Sequence, residues 1–597
     1  MRIKWFSMVR VTGLLLVLLY HFFKTTFSGG FIGVDVFFTF SGYLITALLI
    51  DEYTRSEHID LLGFYKRRFY RIVPPLVLMV LVIIPFTYLV RSDFIASIGN
   101  QIAAAVGFTT NIYEIITGSN YETQFIPHLF VHTWSLAVEV HFYIIWGLLV
   151  WLLAKRHMHV NRFRSSIFMM STVLFATGFL TMFISSFFIK NVSTIYFSTL
   201  SHSFPFYLGA MFATITGVKE TTLRFKKNVR LWSKKYSIGI MVISFILLML
   251  LTFSLDFNHY STYLFGFVLA SLFTSMMIYA SRVLSDQTPD IEEPVIITYL
   301  ADISYGLYLF HWPFYIIFGQ LVNNWLAVFL TMIFSLIFST LSYYVIEPYI
   351  AGKKSVFLGL QINLNPYKKW LYALAVFLGG VAVVTATMAP SVGKFETELL
   401  VGSLKQAQTN INRTHTLAAG DAAALSDISV IGDSVTLRSS TAFASLLPEA
   451  QIDAAVSRNF SEAFDIFQNR ISSKTLSQTT VIAIGVNSLD DYKDNLQQFI
   501  DALPNGYRLI FMTPYNAGNL TQVKEVRNYE LTLPETYHYV TVADWYKVAT
   551  DNPSIWAGTD GVHYSDSDDT GANLYVSTIQ KAIQKSAKAP AKGESKQ

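Results

Sequence analysis

The chain has 597 residues, 52% of them hydrophobic and only 14% charged, with 49 Phe and 33 Tyr, which is too apolar for one water-soluble fold and assigns most of the length to a lipid bilayer. A net charge of +4 and the absence of Cys give no reason to invoke nucleic acid and exclude disulfides, thiolate metal sites and a cysteinyl acyl-enzyme. Any acyl group carried by this protein must ride on oxygen or nitrogen.

Residues 1–28 lack the small-residue cleavage pattern of a secretory signal, so the first apolar segment reads as a retained span. A crossing helix needs roughly 20 mostly apolar residues. Eleven segments qualify, near 10–28, 31–50, 74–90, 133–153, 167–188, 196–217, 236–255, 261–281, 301–319, 323–346 and 370–390. A twelfth stretch, 94–117, carries Asn100, Gln101, Asn111 and Glu114 and reads as re-entrant or interfacial. With that assignment and a cytoplasmic N-terminus, the basic loops 51–73, 154–166, 218–235 and 347–369 all fall on the cytoplasmic side, as positive-inside bias requires. Loop 282–300, with Asp286, Asp290, Glu292 and Glu293, adds no support.

Eleven crossings place everything after residue 390 outside the cell. The predicted organisation is a multi-span domain over 1–390, with 370–390 as its final linking helix, a linker over 391–425, an extracellular domain over 426–585 and a disordered tail over 586–597. In 426–585 the apolar runs "ISVIGDS", "TVIAIGVNS", "YRLIFMTPY" and "YVTVADW" alternate with amphipathic stretches. That is the pattern of an α/β domain with a parallel sheet.

Where an apolar strand ends in Gly-Asp-Ser, the serine stands at the carboxyl edge of a parallel sheet, the edge at which open α/β folds hold ligands. Ser434 is therefore the candidate nucleophile. A serine nucleophile needs a base and an orienter, and "TDGVHYS" supplies His563 and Asp560. Candidate oxyanion donors are the Ser434 backbone N–H, a backbone N–H near "AAVSRNF", and the Asn487 side chain. In the apolar region, ionisable groups are expensive to bury and mark function. Arg10 and His21 lie eleven positions apart, about 16 Å along a helix. Asp35 interrupts "GGFIGVDVFFTFSGYLIT", Arg68 and Arg71 stand in "FYKRRFYRIVPP", His132 and Glu139 in "HTWSLAVEVHFY", and His311 in "SYGLYLFHWP".

The blocks "IGDSV", "GVN" and "DGVH" resemble, in order and spacing over about 160 residues, the SGNH hydrolase and acyltransferase family. The resemblance implies Ser434 as nucleophile, Asn487 as oxyanion donor, and Asp560 with His563 completing the triad. It departs at Ser457, where the family commonly has a glycine donor. Residues 5–350, through Arg10 with His21, "GVDVFFTFSGY", Arg68 with Arg71, "HTWSLAVE" and "YLFHWP", resemble membrane acyltransferase family 3. That resemblance implies transfer from cytoplasmic acetyl-CoA, as acyl-donor substrate with no bound cofactor or metal, to extracytoplasmic glycans. By carry-over His21 is base or acyl acceptor with Arg10 as its companion, and Arg68 and Arg71 grip nucleotide phosphates, a task suited to guanidinium forks. Glu139 would orient His21 or a transient acyl carrier, and Asp35 and His311 would line the site. His202 stands where family members often have arginine, and it receives no role.

As a whole the chain resembles the peptidoglycan O-acetyltransferases of Gram-positive bacteria. This implies esterification of the 6-hydroxyl of N-acetylmuramic acid, which hinders lysozyme. Acetylation of N-acetylglucosamine, teichoic acid or an exopolysaccharide is the alternative, as is an extracellular esterase with a membrane anchor.

Overall fold

The computed structural model describes residues 3–90, 92–118, 127–189, 191–218, 220–357, 359–418, 427–486, 489, 491–556, 559, 561–565 and 569–594. The chain divides into two compact units, 1–390 and 391–597.

The first unit is helical. Its long elements are α1 (Phe6–Phe22), α2 (Gly33–Ser56), α3 (Leu61–Phe86), α4 (Trp134–Ala154), α5 (Val160–Ser185), α6 (Phe204–Thr216), α7 (Lys234–Ser254), α8 (Phe267–Gln287), α9 (Val295–Leu321), α10 (Asn324–Leu341) and α11 (Lys368–Met388). Each of the eleven predicted segments thus overlaps a helix. Among the described residues, eight helices are long and apolar enough to cross a membrane. The three others are α1 and α6, which are shorter, and α9, whose 27 residues include Asp302, Ser304 and His311. Segment 94–117 breaks into helices of 9 and 7 residues, Ile98–Val106 and Thr110–Ile116, about 14 and 11 Å long. Gln101, Asn111 and Glu114 are buried while Asn100 is exposed: Asn111 donates to Phe197 O and Thr199, and Glu114 pairs with His128 at 2.8 Å.

Helices α2 and α6 touch backbone to backbone. A Cβ at Gly42 would sit 2.0 Å from Phe206 O, and one at Gly209 2.0 Å from Thr39 O, so only glycine permits this crossing. After α10 comes a π-helical turn, Ser342–Ile346, then Glu347–Ile350 and an antiparallel hairpin, Ser355–Phe357 with Leu360–Ile362.

The second unit opens with α12 (Lys394–Ala418), a helix within the stretch 391–425 that the sequence reads as a linker. The stretch offers good helix formers and an apolar side. Leu399 is buried, and Gln406 makes two hydrogen bonds with the backbone of Ala454. The sheet comprises β1 (Ile428–Gly432), β2 (Gln451–Ala454), β3 (Thr479–Ala483), β4 (Arg508–Met512) and β5 (Val540–Ala543) in the order β2-β1-β3-β4-β5, all parallel. Alternate residues feed two cores. Val430, Val481 and Ile510 meet Trp545, Tyr575 and Ile579 on one face, while Ile431, Ile482 and Phe511 meet Phe460, Phe467 and Phe499 on the other. The chain leaves β1 toward β2 on one side and returns to β3 on the other, so the carboxyl ends of β1 and β3 form a switch point.

The expected disordered tail is corrected. Beyond helix Thr570–Ser586, Gly506 N–H donates to Lys592 O, Lys592 N–H donates to Tyr507 O, and Arg508 Nε donates to Ala589 O. The Lys and Pro content suggested disorder, but backbone pairing against the start of β4 fixes residues up to 594.

Candidate active site

In the second unit, β1 ends at Gly432 and the chain reverses at once into helix Ser434–Arg438. A Cβ on Gly432 would lie 2.3 Å from Thr436 Cβ, which is why a glycine precedes the Asp-Ser pair. Asp433 caps the helix, accepting from Val435 N–H at 3.0 Å, and burial pushes its carboxyl up to about 6. Ser434 Oγ lies 2.8 Å from His563 Nε2, with both side chains buried. The candidate nucleophile and candidate base, 129 residues apart in sequence, are thus in hydrogen-bond contact. Asn487 and Asp560 lie outside the described residues.

The surrounding loops are anchored. Arg458 donates to Gly432 O at 3.2 Å and pairs with Asp453 at 2.8 Å, gripping the turn that presents Ser434. Ser457 adopts φ +57°, a left-handed conformation favoured by glycine, so this serine keeps the backbone form that a glycine would take. Ala517 N–H donates to Gly561 O at 2.9 Å, tying the loop after β4 to the segment that leads into His563. Tyr515, Trp545 and Tyr575 wall a small pocket beside Asp433 and Val435.

In the first unit, Arg10, Arg68, Arg71 and Glu139 line one cavity of about 140 Å³. They come from four places in α1, α3 and α4. Ser41 and Tyr143 hydroxyls donate to Glu139. Arg71 pairs with Glu347 at 2.8 Å and lies over the Tyr343 ring, while Arg68 Nε is buried without a hydrogen-bond partner among the described residues. Ser135 and Tyr308 also line the cavity and are 2.6 Å apart.

His21, for which the sequence offers Arg10 as companion and Glu139 as orienter, sits beside His311. Its Nδ1 lies 2.7 Å from His311 Nε2, with the rings stacked, and the His132 ring is 6.1 Å from that of His311. Eleven helical positions carry His21 to the far end of α1, whereas Arg10 lies over Phe40. His311 is therefore a direct partner of His21. His202, which the sequence left without a role, is fully buried and pairs with Asp35 at 3.2 Å. The sequence reading also missed Ser41, Tyr143, Tyr308 and Glu347. Tyr143 follows Glu139 by four positions, one helical turn, and that spacing was a visible signal. Ser41 and Glu347 carried none. Among the described residues, no group of three or more His, Asp or Glu could hold a metal ion.

A buried Ser–His pair at a sheet switch point and a guanidinium-lined cavity within apolar helices define a membrane acyl-transfer enzyme. Residues 3–346 match the family described as "Acyltransferase domain", and the chain belongs to that family. It is a membrane enzyme of the O-acetyltransferase class. It is similar to O-acetyltransferase OatA of Staphylococcus aureus strain NCTC 8325 / PS 47, 27% identical over 585 residues, covering 92% of this chain and 91% of that one. OatA of strain MRSA252 is 26% identical over 581 residues, with 92% and 91% covered. The solved C-terminal catalytic domain of Streptococcus pneumoniae peptidoglycan O-acetyltransferase A, with a methylsulfonyl adduct, is 40% identical, covers 28% of this chain and 98% of its own, and has a TM-score of 0.28.

Proposed function

We propose that this protein takes acetyl from cytoplasmic acetyl-CoA and esterifies a cell-wall glycan, specifically the 6-hydroxyl of N-acetylmuramic acid, through a Ser434 acyl-enzyme. The observation that carries this reading is the 2.8 Å contact between Ser434 Oγ and His563 Nε2. His563 takes the Ser434 proton as Oγ attacks the acetyl carbonyl, and the acyl carrier leaves with that proton. A sugar hydroxyl then attacks the ester. His563 removes the hydroxyl proton and returns it to Ser434 Oγ, which regenerates the serine. Asp560 fixes the imidazole, and the Ser434 N–H with the Asn487 amide receives the developing oxyanion charge. Transfer outruns hydrolysis when the bound sugar excludes water from the ester.

In the first unit, acetyl enters the cavity bounded by Arg10, Arg68, Arg71 and Glu139, and His21 with His311 forms the onward station. The N-terminus is cytoplasmic, eleven helices cross, and the C-terminal unit is extracellular; the distribution of basic loops supports this orientation. The test supplies residues 391–597 with an activated aryl acetate and muramic-acid-containing oligosaccharides, with products read by mass spectrometry. Acetyl on the muramoyl sugar, absent with Ser434→Ala, is the expected result. Free acetate alone, with ample glycan present, would refute muramoyl transfer.

A further inference from the structure

We propose that the hairpin Ser355–Phe357/Leu360–Ile362 and its flanking lysines hold the nucleotide end of the acyl donor, while the neighbouring cavity takes only the acyl end. This rests on the acetyl-CoA reading above and names a site for the part of the donor that the cavity cannot contain. A cavity of about 140 Å³ is on the scale of the ~150 Å³ cavity that holds a single benzene ring. That is room for an acetyl thioester and too little for a phosphorylated adenosine. Arg71, expected to grip phosphate, is neutralised by Glu347.

Beside the hairpin lies a larger groove of about 470 Å³, lined by Tyr349, Lys353, Lys354, Gln361, Asn363 and Asn365 among others. No carboxylate is among its lining residues. Neither lysine has an ion-pair partner among the described residues. Gly352, at φ +69°, and the 2.7 Å bond from Lys353 N–H to Pro348 O fix the turn that carries both ammoniums. The groove therefore offers point charges for phosphate, amides for a base edge and one aromatic ring. That combination suits a 3′,5′-bisphosphorylated adenosine better than a simple anion.

The groove is mechanically joined to the cavity. Ser355 Oγ donates to Val345 O at 2.8 Å, and the Phe357 ring packs on Tyr344 at 5.4 Å, so the hairpin is strapped to the π-helical turn Ser342–Ile346. That turn also holds Arg71, a cavity-lining residue, through the Tyr343 ring at 4.9 Å, and its Ser342 donates to Glu347, the ion-pair partner of Arg71. Single π-turns within helices commonly mark functional positions. Here the turn connects the nucleotide groove to the acyl cavity.

The test uses the full chain in nanodiscs, with Lys353→Gln/Lys354→Gln and the charge-keeping Lys353→Arg/Lys354→Arg. Equilibrium dialysis of coenzyme A and of 3′,5′-ADP should show at least tenfold weaker binding in the Gln variant and near-native binding in the Arg variant. The KM for acetyl-CoA should rise at least tenfold with kcat unchanged, while acetyl-pantetheine, which lacks the nucleotide, should be used equally by both. Native affinity for coenzyme A in the Gln variant would overturn the site. So would a loss that appears only as altered dependence on anionic lipid content, which would assign the lysines to a headgroup. If the wild type neither binds coenzyme A nor uses acetyl-CoA, the donor reading itself falls, an outcome distinct from a donor used equally by wild type and variant.

Discussion

Glu530 sits in helix Leu520–Thr536, 1% exposed, with both carboxylate oxygens lacking a hydrogen-bond partner among the described residues. Burial, reinforced by the nearby Asp544 charge, holds its carboxyl well above the ordinary glutamate range. Asp544 itself is occupied by Arg527 at 2.7 and 2.6 Å and by Thr513 and Lys547 N–H, so Arg527 is committed to Asp544. The sign follows from proton counting. Above the unfolded glutamate value of about 4.3 the unfolded chain has released this proton and the folded chain retains it, so stability falls as pH rises. Each pH unit over which the unfolded chain has released this proton and the folded chain retains it costs about 1.4 kcal/mol. Glu530→Gln keeps the shape and cannot ionise. It should remove this slope and raise the unfolding temperature of residues 391–597 at pH 7, by about 2–4 °C for each kcal/mol recovered. Thermal unfolding of both proteins from pH 5 to 8 measures the effect. Parallel stability curves would refute the reasoning, because they would mean that Glu530 is ionised and solvated in the folded state.

Asp433→Asn should flatten a second, lower window. A group raised to about 6 gives stability that is full below the unfolded value and lost as pH climbs toward 6, so an unchanged slope between pH 4 and 6 counts against its burial as a carboxyl. Gln406→Ala unpairs the Ala454 backbone at the edge of β2 and should cost about 1–3 kcal/mol in urea unfolding; an unmoved midpoint would argue that water replaces the amide at no cost. Gly42→Ala and Gly209→Ala should abolish recovery of monodisperse membrane protein in size-exclusion chromatography, whereas Gly239→Ala, with nothing within 4 Å of the added Cβ, should be tolerated. His21→Ala and Glu139→Gln should each eliminate wall ester while aryl acetate hydrolysis through Ser434 persists; normal ester content in either variant removes that residue from the route.

The sequence by itself determined what depends on local pattern. Apolar runs near 20 residues located the helices of the first unit, since bilayer thickness sets their length. Strand–helix alternation and the Gly-Asp-Ser turn located Ser434 at a sheet edge, since a parallel strand must end there. The charged interruptions at Arg10, Arg68, Arg71 and Glu139 stood out because their burial is costly. Composition misled over 394–418 and 586–594, where tertiary contacts from Gln406 and Lys592 hold stretches that look like coil.

Partnership is what only the tertiary structure decided. That His21 meets His311, 290 positions away, that Asp35 meets His202 and that Glu347 neutralises Arg71 are consequences of helix crossings. Those crossings depend on single small residues such as Gly42 and Gly209, whose missing Cβ atoms let two backbones touch. Hydrophobic periodicity records which face of a helix is buried. It does not record which helix covers that face or at what height, and those two quantities bring distant polar groups within hydrogen-bond range.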